Sequence, residues 1–84
     1  MPSWSDVRRF VEHDGWELRK HGTRHDLYRK ILIDGTILET RISHEAGEIH
    51  GLWPHILNLQ LQCSQAYFNT VKNGGRWNGP GRGL

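Results

Sequence analysis

The stretch from Trp16 to Ile42 reads WELRKHGTRHDLYRKILIDGTILETRI, and its rhythm decides the fold. Trp16-Glu17-Leu18-Arg19 alternates apolar and polar, the period-two pattern of a half-buried strand. His21-Gly22-Thr23 supplies a turn. Residues 25–33 form a second strand of less clean alternation. Asp34-Gly35 follows, a two-residue hairpin signal whose favoured turn takes positive φ at both central residues. Thr36 to Ile42 alternates again, with Ile37, Glu39 and Arg41 on one face and Leu38, Thr40 and Ile42 on the other. Three such strands in succession predict an antiparallel meander.

Helical patterns flank the meander. Residues 3–14 place Trp4, Val7, Phe10 and Val11 on one face. Ser3 or Ser5 can cap that helix, Asp6 lies in its first turn, and Gly15 after Asp14 is suited to a left-handed C-terminal stop. Residues 43–51 read as a loop. From Leu52 the helical period returns: Leu52, Ile56 and Leu59 share one face, with Trp53, Leu57 and Leu61 beside it. Pro54 is tolerated in a first turn. Ser64 reads as a new cap, and Tyr67, Phe68 and Val71 as the apolar face of a short helix that Gly74 closes. The expected fold is therefore α+β. A helix, a three-stranded antiparallel meander, a helix and a short C-terminal helix form a two-layer sandwich. Double-stranded-RNA-binding domains share this α-β-β-β-α order. Residues 1–72 make one domain; residues 73–84, rich in glycine, read as a flexible basic tail that cannot bury enough surface to order itself.

Composition narrows the function classes. With 84 residues, one compact core is the most the chain can build. A hydrophobic content of 36% against 24% charged residues suits a soluble globular protein. No apolar run approaches the ~20 residues of a membrane span, and no signal-peptide core precedes the first helix, so a cytoplasmic protein is expected. The single cysteine, Cys63, excludes an internal disulfide and a cysteine-based zinc cluster, and beside Leu61 it reads as a half-buried, inert thiol. Net charge is only +2, but its distribution is uneven. Arg19, Lys20, Arg24, Arg29 and Lys30 fall within twelve residues that hold one acid, Asp26. Such a stripe fits a polyanion better than a membrane; a solvated strand face is the plain alternative.

His25 stands at the start of the second strand inside this stripe. Imidazole titrates near neutral pH, and Arg and Lys neutralise phosphate, so the run can perform acid–base work on a phosphodiester. His44 ends the third strand. The start of strand two and the end of strand three lie side by side in a meander, so His44 can approach His25. His13, His21, His50 and His55 attract no role. His50 and His55 are five apart, off a common helical face, and no metal site or cofactor is expected. Tyr28 can stack on a base, although packing inside the sheet accounts for it as well; Trp77 can contact RNA or a partner.

From Trp4 to Val71 the chain resembles the HicA-type toxins. The first helix ends in Gly15-Trp16, similar to the family's glycine–aromatic step into strand one. Gly22-Thr23-Arg24-His25 resembles its Gly-Ser/Thr-x-His segment, and Leu27-Tyr28 the hydrophobic–aromatic pair after it. Ile42-Ser43-His44 and then Glu48-Ile49 fall where the family's third strand closes on a histidine. Gly51 to Leu61 is similar to its glycine-led amphipathic helix, with Leu52 in place of a threonine, and Ser64 to Val71 supplies the closing helix.

The resemblance implies an mRNA interferase: a metal-independent endoribonuclease that cuts single-stranded mRNA. It also implies silencing by a HicB-type antitoxin. His25 takes the acid–base role, and His44 is the candidate second proton-transfer group. Arg19, Lys20, Thr23, Arg24, Arg29 and Lys30 are the expected RNA contacts. The partners are mRNA and the antitoxin, with no membrane; the free protein is a monomer and the inhibited form a hetero-oligomer. A non-catalytic RNA-binding module of the same fold is the alternative, and a structural domain with incidental histidines the third reading.

Overall fold

The computed structural model describes residues 2–84. Helix α1, Trp4–His13, starts where Ser3 stays extended. The Ser3 hydroxyl accepts the Asp6 amide at 3.2 Å and the Asp6 carboxylate accepts the Ser3 amide at 2.9 Å. Two amides that a helix start leaves unpaired are thereby satisfied reciprocally. At the other end Gly15 takes φ +80°, and the Trp16 amide donates back to the Val11 carbonyl at 3.0 Å. That closure turns the chain from helix into sheet.

The strands are β1 (Glu17–His21), β2 (His25–Ile31) and β3 (Ile37–Ser43), ordered β1-β2-β3 in one open antiparallel sheet. The inner face carries Tyr28, Leu38, Thr40 and Ile42, all buried in one core with Val7, Phe10 and Val11 of α1. Thr40 is tolerated there because its hydroxyl donates to Gln60 Oε1 at 2.7 Å. Helix α3, Gln65–Lys72, packs on α1 through Phe68, whose ring stacks on Phe10 at 5.0 Å between centroids. Tyr28 is thus a core residue, with no ring face left for a base. The expected α+β architecture, with helix, three-stranded antiparallel sheet and two following helical segments, is the observed one. Among the described residues no helix is long and apolar enough to cross a membrane.

Three local features differ from the sequence expectation. The first is the β2–β3 turn. Only Gly35 of the Asp34-Gly35 pair has positive φ. The Gly35 amide donates to Leu32 O at 2.9 Å and the Leu32 amide to Thr36 O at 2.8 Å. This is a three-residue loop closed by a left-handed glycine, so β2 ends at Ile31 and Ile33 is fully exposed. The second is the helix after the loop. Helix α2, Trp53–His55, runs on as a π-helical turn over Ile56–Leu61, and Gln62 stops it at φ +50°. Wider turns move the buried positions to Ile56, Leu57 and Leu61. Leu59, placed on one face with Ile56 at α-helical spacing, is exposed, and so is Leu52, which precedes α2.

The third is the C-terminal segment. Composition makes residues 73–84 a flexible tail, yet the structure lays them on the body. Arg82 donates to Asp14 Oδ2 at 3.0 Å and to the carbonyls of Leu61 and Gln62 at 2.9 and 3.1 Å, and its guanidinium stacks on Tyr67. The Trp77 ring meets Tyr67 edge-on at 5.5 Å. A low-complexity segment has no core of its own, but two anchoring side chains dock it on one that already exists. Asp14 is the shared acceptor: Trp16 Nε1 at 2.8 Å and Tyr67 Oη at 2.6 Å also donate to its buried carboxylate. Tyr67 is consequently held neutral, its hydroxyl pushed up to about 12 by burial and by that bond to Asp14. Cys63 is fully buried rather than half-buried, and burial pushes its thiol up to about 12 as well.

Candidate nucleic-acid interface and histidine cluster

A single bulge in β1 sorts the site residues between the two faces of the sheet. Leu18 pairs with Tyr28, but Lys20 pairs with Leu27, so two steps along β1 match one along β2. The extra residue, Arg19, reverses the alternation beyond it. Lys20 joins the outer face with Leu27, and His21 joins the inner face opposite Asp26. Both assignments would be inverted in a regular strand.

On the outer face, His25 stands where three surface concavities meet. One is lined by Lys20, Thr23, Arg24, Leu27 and Arg41. A second runs over Thr23 and Arg24 to Ser43, His44 and Glu45. The third wraps over the β3 edge, from Leu27 and Arg41 on the outer face to Thr40, Gln60 and His55 on the helical side. Gly22 makes the turn behind His25: its amide donates to the His25 carbonyl at 2.9 Å.

The expected RNA contacts divide. Lys20, Thr23 and Arg24 surround His25. Arg19 sits in the bulge and pairs with Glu17 at 2.9 Å. Arg29 lies on the outer face but is held by Glu39 in two bonds of 2.8 and 3.1 Å. Lys30 points the other way, its ammonium donating to the Asp14 carbonyl at 2.6 Å on the inner side. Arg41 enters the groove from β3 instead. Its alternation with Leu38, Thr40 and Ile42 marks it as outward-facing in the sequence, but it lies outside the basic run 19–30, and only the register brings it to His25.

His44 arrives beside the His25 turn, as the meander topology implies. Its backbone amide donates to Arg24 O at 2.9 Å. Both of its ring nitrogens are engaged: Nδ1 lies 3.1 Å from Thr23 O, and Nε2 lies 2.9 Å from Asp26 Oδ1. His21 Nδ1 approaches the same carboxylate oxygen at 2.6 Å, and Arg8 Nη1 holds the other, Oδ2, at 2.7 Å. The two imidazoles lie 5.3 Å apart. Burial works to raise the Asp26 carboxyl, but hydrogen bonds from Arg8, His44 and His21 outweigh it. They hold the group well below the usual carboxylate range.

The pairing of His21 with His44 through Asp26 has no signature in the sequence. Chain spacing gives 21, 26 and 44 no ligand motif; the bulge and the antiparallel register bring them together. Compared with known proteins, the chain matches no family model, no curated protein and no solved structure.

Proposed function

We propose that this chain is an endoribonuclease toxin of the HicA type, cutting single-stranded mRNA by histidine acid–base chemistry without a metal in the reaction. The observation that supports this best is the position of His25, at the meeting of three concavities and ringed by Lys20, Arg24 and Arg41. RNA supplies its own nucleophile. A 2′-hydroxyl loses its proton and attacks the adjacent phosphorus, and the 5′-oxygen leaves carrying a proton. A 2′,3′-cyclic phosphate and a 5′-hydroxyl remain. His25 carries one of these proton transfers, and solvent water takes or supplies the other proton. The cationic side chains hold the phosphate and neutralise the charge that grows on its oxygens.

In this reading His44 is a positioning residue. It ties Thr23 and Arg24 through its ring and its amide, which fixes the turn that carries His25. The partner is a HicB-type antitoxin with acidic side chains that covers the Lys20–Arg24–Arg41 groove, so inhibition and RNA exclusion are one event. The place of action is the cytoplasm, where mRNA is exposed.

Expression of the chain alone tests the reading. The wild-type protein arrests growth, and folded His25→Ala does not. Equal arrest by both proteins contradicts the catalytic assignment and favours a module that acts by binding RNA.

A further inference from the structure

The inner corner of the sheet holds a group of ligands of which the proposed RNA chemistry uses only His44, as a positioning residue. Neighbouring strand residues face opposite sides, so Asp26 turns inward where His25 turns outward. His21 is opposite Asp26 in the β1–β2 register, and His44 lies two residues beyond Ile42, the β3 partner of Asp26. Strands β1 and β2 and the residue that follows β3 thus deliver one side chain each to the same point. Their ligand atoms, His21 Nδ1, Asp26 Oδ1 and His44 Nε2, all lie within 4.8 Å of one another.

We propose that His21, Asp26 and His44 form a three-ligand site for a zinc-class divalent ion. Four observations carry it. Two imidazoles and one carboxylate form a donor set for borderline ions, zinc above all, whereas magnesium and calcium prefer oxygen donors throughout. The groups behind the ligands are already in place. His44 Nδ1 is directed at the Thr23 carbonyl, which leaves Nε2 as the coordinating nitrogen. Arg8 holds Asp26 Oδ2, which leaves Oδ1 facing the histidines. Such contacts behind the ligands orient metal-binding side chains generally.

The third observation is the pair of oxygens around His44. Both of its nitrogens point at oxygen, at 3.1 and 2.9 Å. With Nδ1–H on the Thr23 carbonyl, the contact between Nε2 and the Asp26 carboxylate needs a positive charge, which either a proton or a metal ion supplies, so the two compete for this position. The fourth is room to adjust. Zinc at ~2.0–2.1 Å from each ligand needs ligand atoms roughly 3.3 Å apart. The present 2.6 and 2.9 Å separations must widen by about half an ångström, and the His21 side chain, 73% exposed, is free to swing outward. The fourth coordination position then faces solvent on the His21 side. An ion here ties the ends of β1, β2 and β3 and clamps the turn that carries Thr23, Arg24 and His25.

Titration calorimetry with zinc chloride on the purified full-length chain tests the site. The expected result is one zinc per chain, a raised melting temperature with zinc, and affinity at least tenfold weaker in His21→Ala. His21 is exposed, so that variant folds; matching circular dichroism verifies it. A second variant, with His13, His50 and His55 all changed to Ala, removes scattered surface histidines and retains the wild-type affinity. Absence of stoichiometric binding, or equal affinity in wild type and His21→Ala, overturns the proposal. None of these readouts involves RNA, so the site and the ribonuclease reading fail separately.

Discussion

Gly22 and His25 are in closest contact across the β1–β2 turn: the Gly22 amide bonds the His25 carbonyl at 2.9 Å, and a Cβ added at Gly22 would lie 2.6 Å from that same oxygen. The neighbour is backbone, so it cannot step aside as a flexible side chain would. Gly22 is therefore fixed by close approach, and its φ is not positive. In Gly22→Ala the turn shifts and carries His25 and Arg24 with it. Displacements of ~1 Å at a reacting group cost on the order of 100-fold in rate. The variant should retain a cooperative unfolding transition and lose RNA cleavage by about that factor. Wild-type cleavage by Gly22→Ala would show that the turn geometry does not position the chemistry.

The groove and the rest of the basic stripe should separate in salt titrations of RNA affinity. Lys20 and Arg24 line the His25 groove, whereas Arg29 is occupied by Glu39 and Lys30 by the Asp14 carbonyl. Removing one cation that neutralises a phosphate lowers the log–log salt slope for single-stranded RNA by roughly 0.7. Lys20→Ala and Arg24→Ala should each show that change, and Arg41→Ala likewise. Lys30→Ala should leave the slope intact and lower the unfolding midpoint instead. Equal slopes for all these variants would mean that RNA does not use this groove.

The C-terminal segment should stabilise the domain through one ion pair. Arg82 and Asp14 meet at 3.0 Å with side chains 14% and 4% exposed. A hydrogen bond to a charged group is worth about 1.5–3 kcal/mol, and Asp14 keeps two further donors when Arg82 is removed. Arg82→Ala should lose an amount in that range by urea denaturation, and truncation after Asn73 should lose at least as much. An unchanged midpoint in both would make the segment a passive tail.

High pH should expose the Tyr67–Asp14 bond. Tyr67 ionises at about 12 in the folded chain, above the ~10 of an unfolded tyrosine. Below pH ~10 both states hold the proton and the stabilisation is complete. Between ~10 and 12 the native state binds more protons than the unfolded one, so stability falls as pH rises. Ultraviolet titration should show a late tyrosine step near 12 that Tyr67→Phe removes. The same buried corner should leave Cys63 unreactive to iodoacetamide until the chain unfolds, because its thiol is also raised to about 12. Alkylation of native protein at the rate of a free thiol would contradict the burial.

Much of this fold was readable because local signals agreed with one another. Ser3 with Asp6, the Gly15 stop, and the alternation of Leu38, Thr40 and Ile42 each specify an element without help from distant residues. His25 was readable for the same reason: it begins a strand directly after a turn. What stayed hidden depends on counting that a sequence does not display. The bulge at Arg19 exchanges the faces of Lys20 and His21, and the π-helical turn takes Leu59 off the face it shares with Ile56 at α-helical spacing. The Asp14 hub and the His21–Asp26–His44 corner combine residues far apart in the chain, so only the folded register reveals them.

Cleavage of single-stranded RNA by the purified chain in excess EDTA decides whether His25 works as a metal-independent acid–base catalyst. The expected result is cleavage that persists without metal and yields 2′,3′-cyclic phosphate and 5′-hydroxyl ends. General acid–base catalysis contributes ~10²–10⁴-fold, so folded His25→Ala should be slower by at least 100-fold. Full activity in folded His25→Ala, or loss of wild-type activity in EDTA with recovery on adding magnesium, would contradict it.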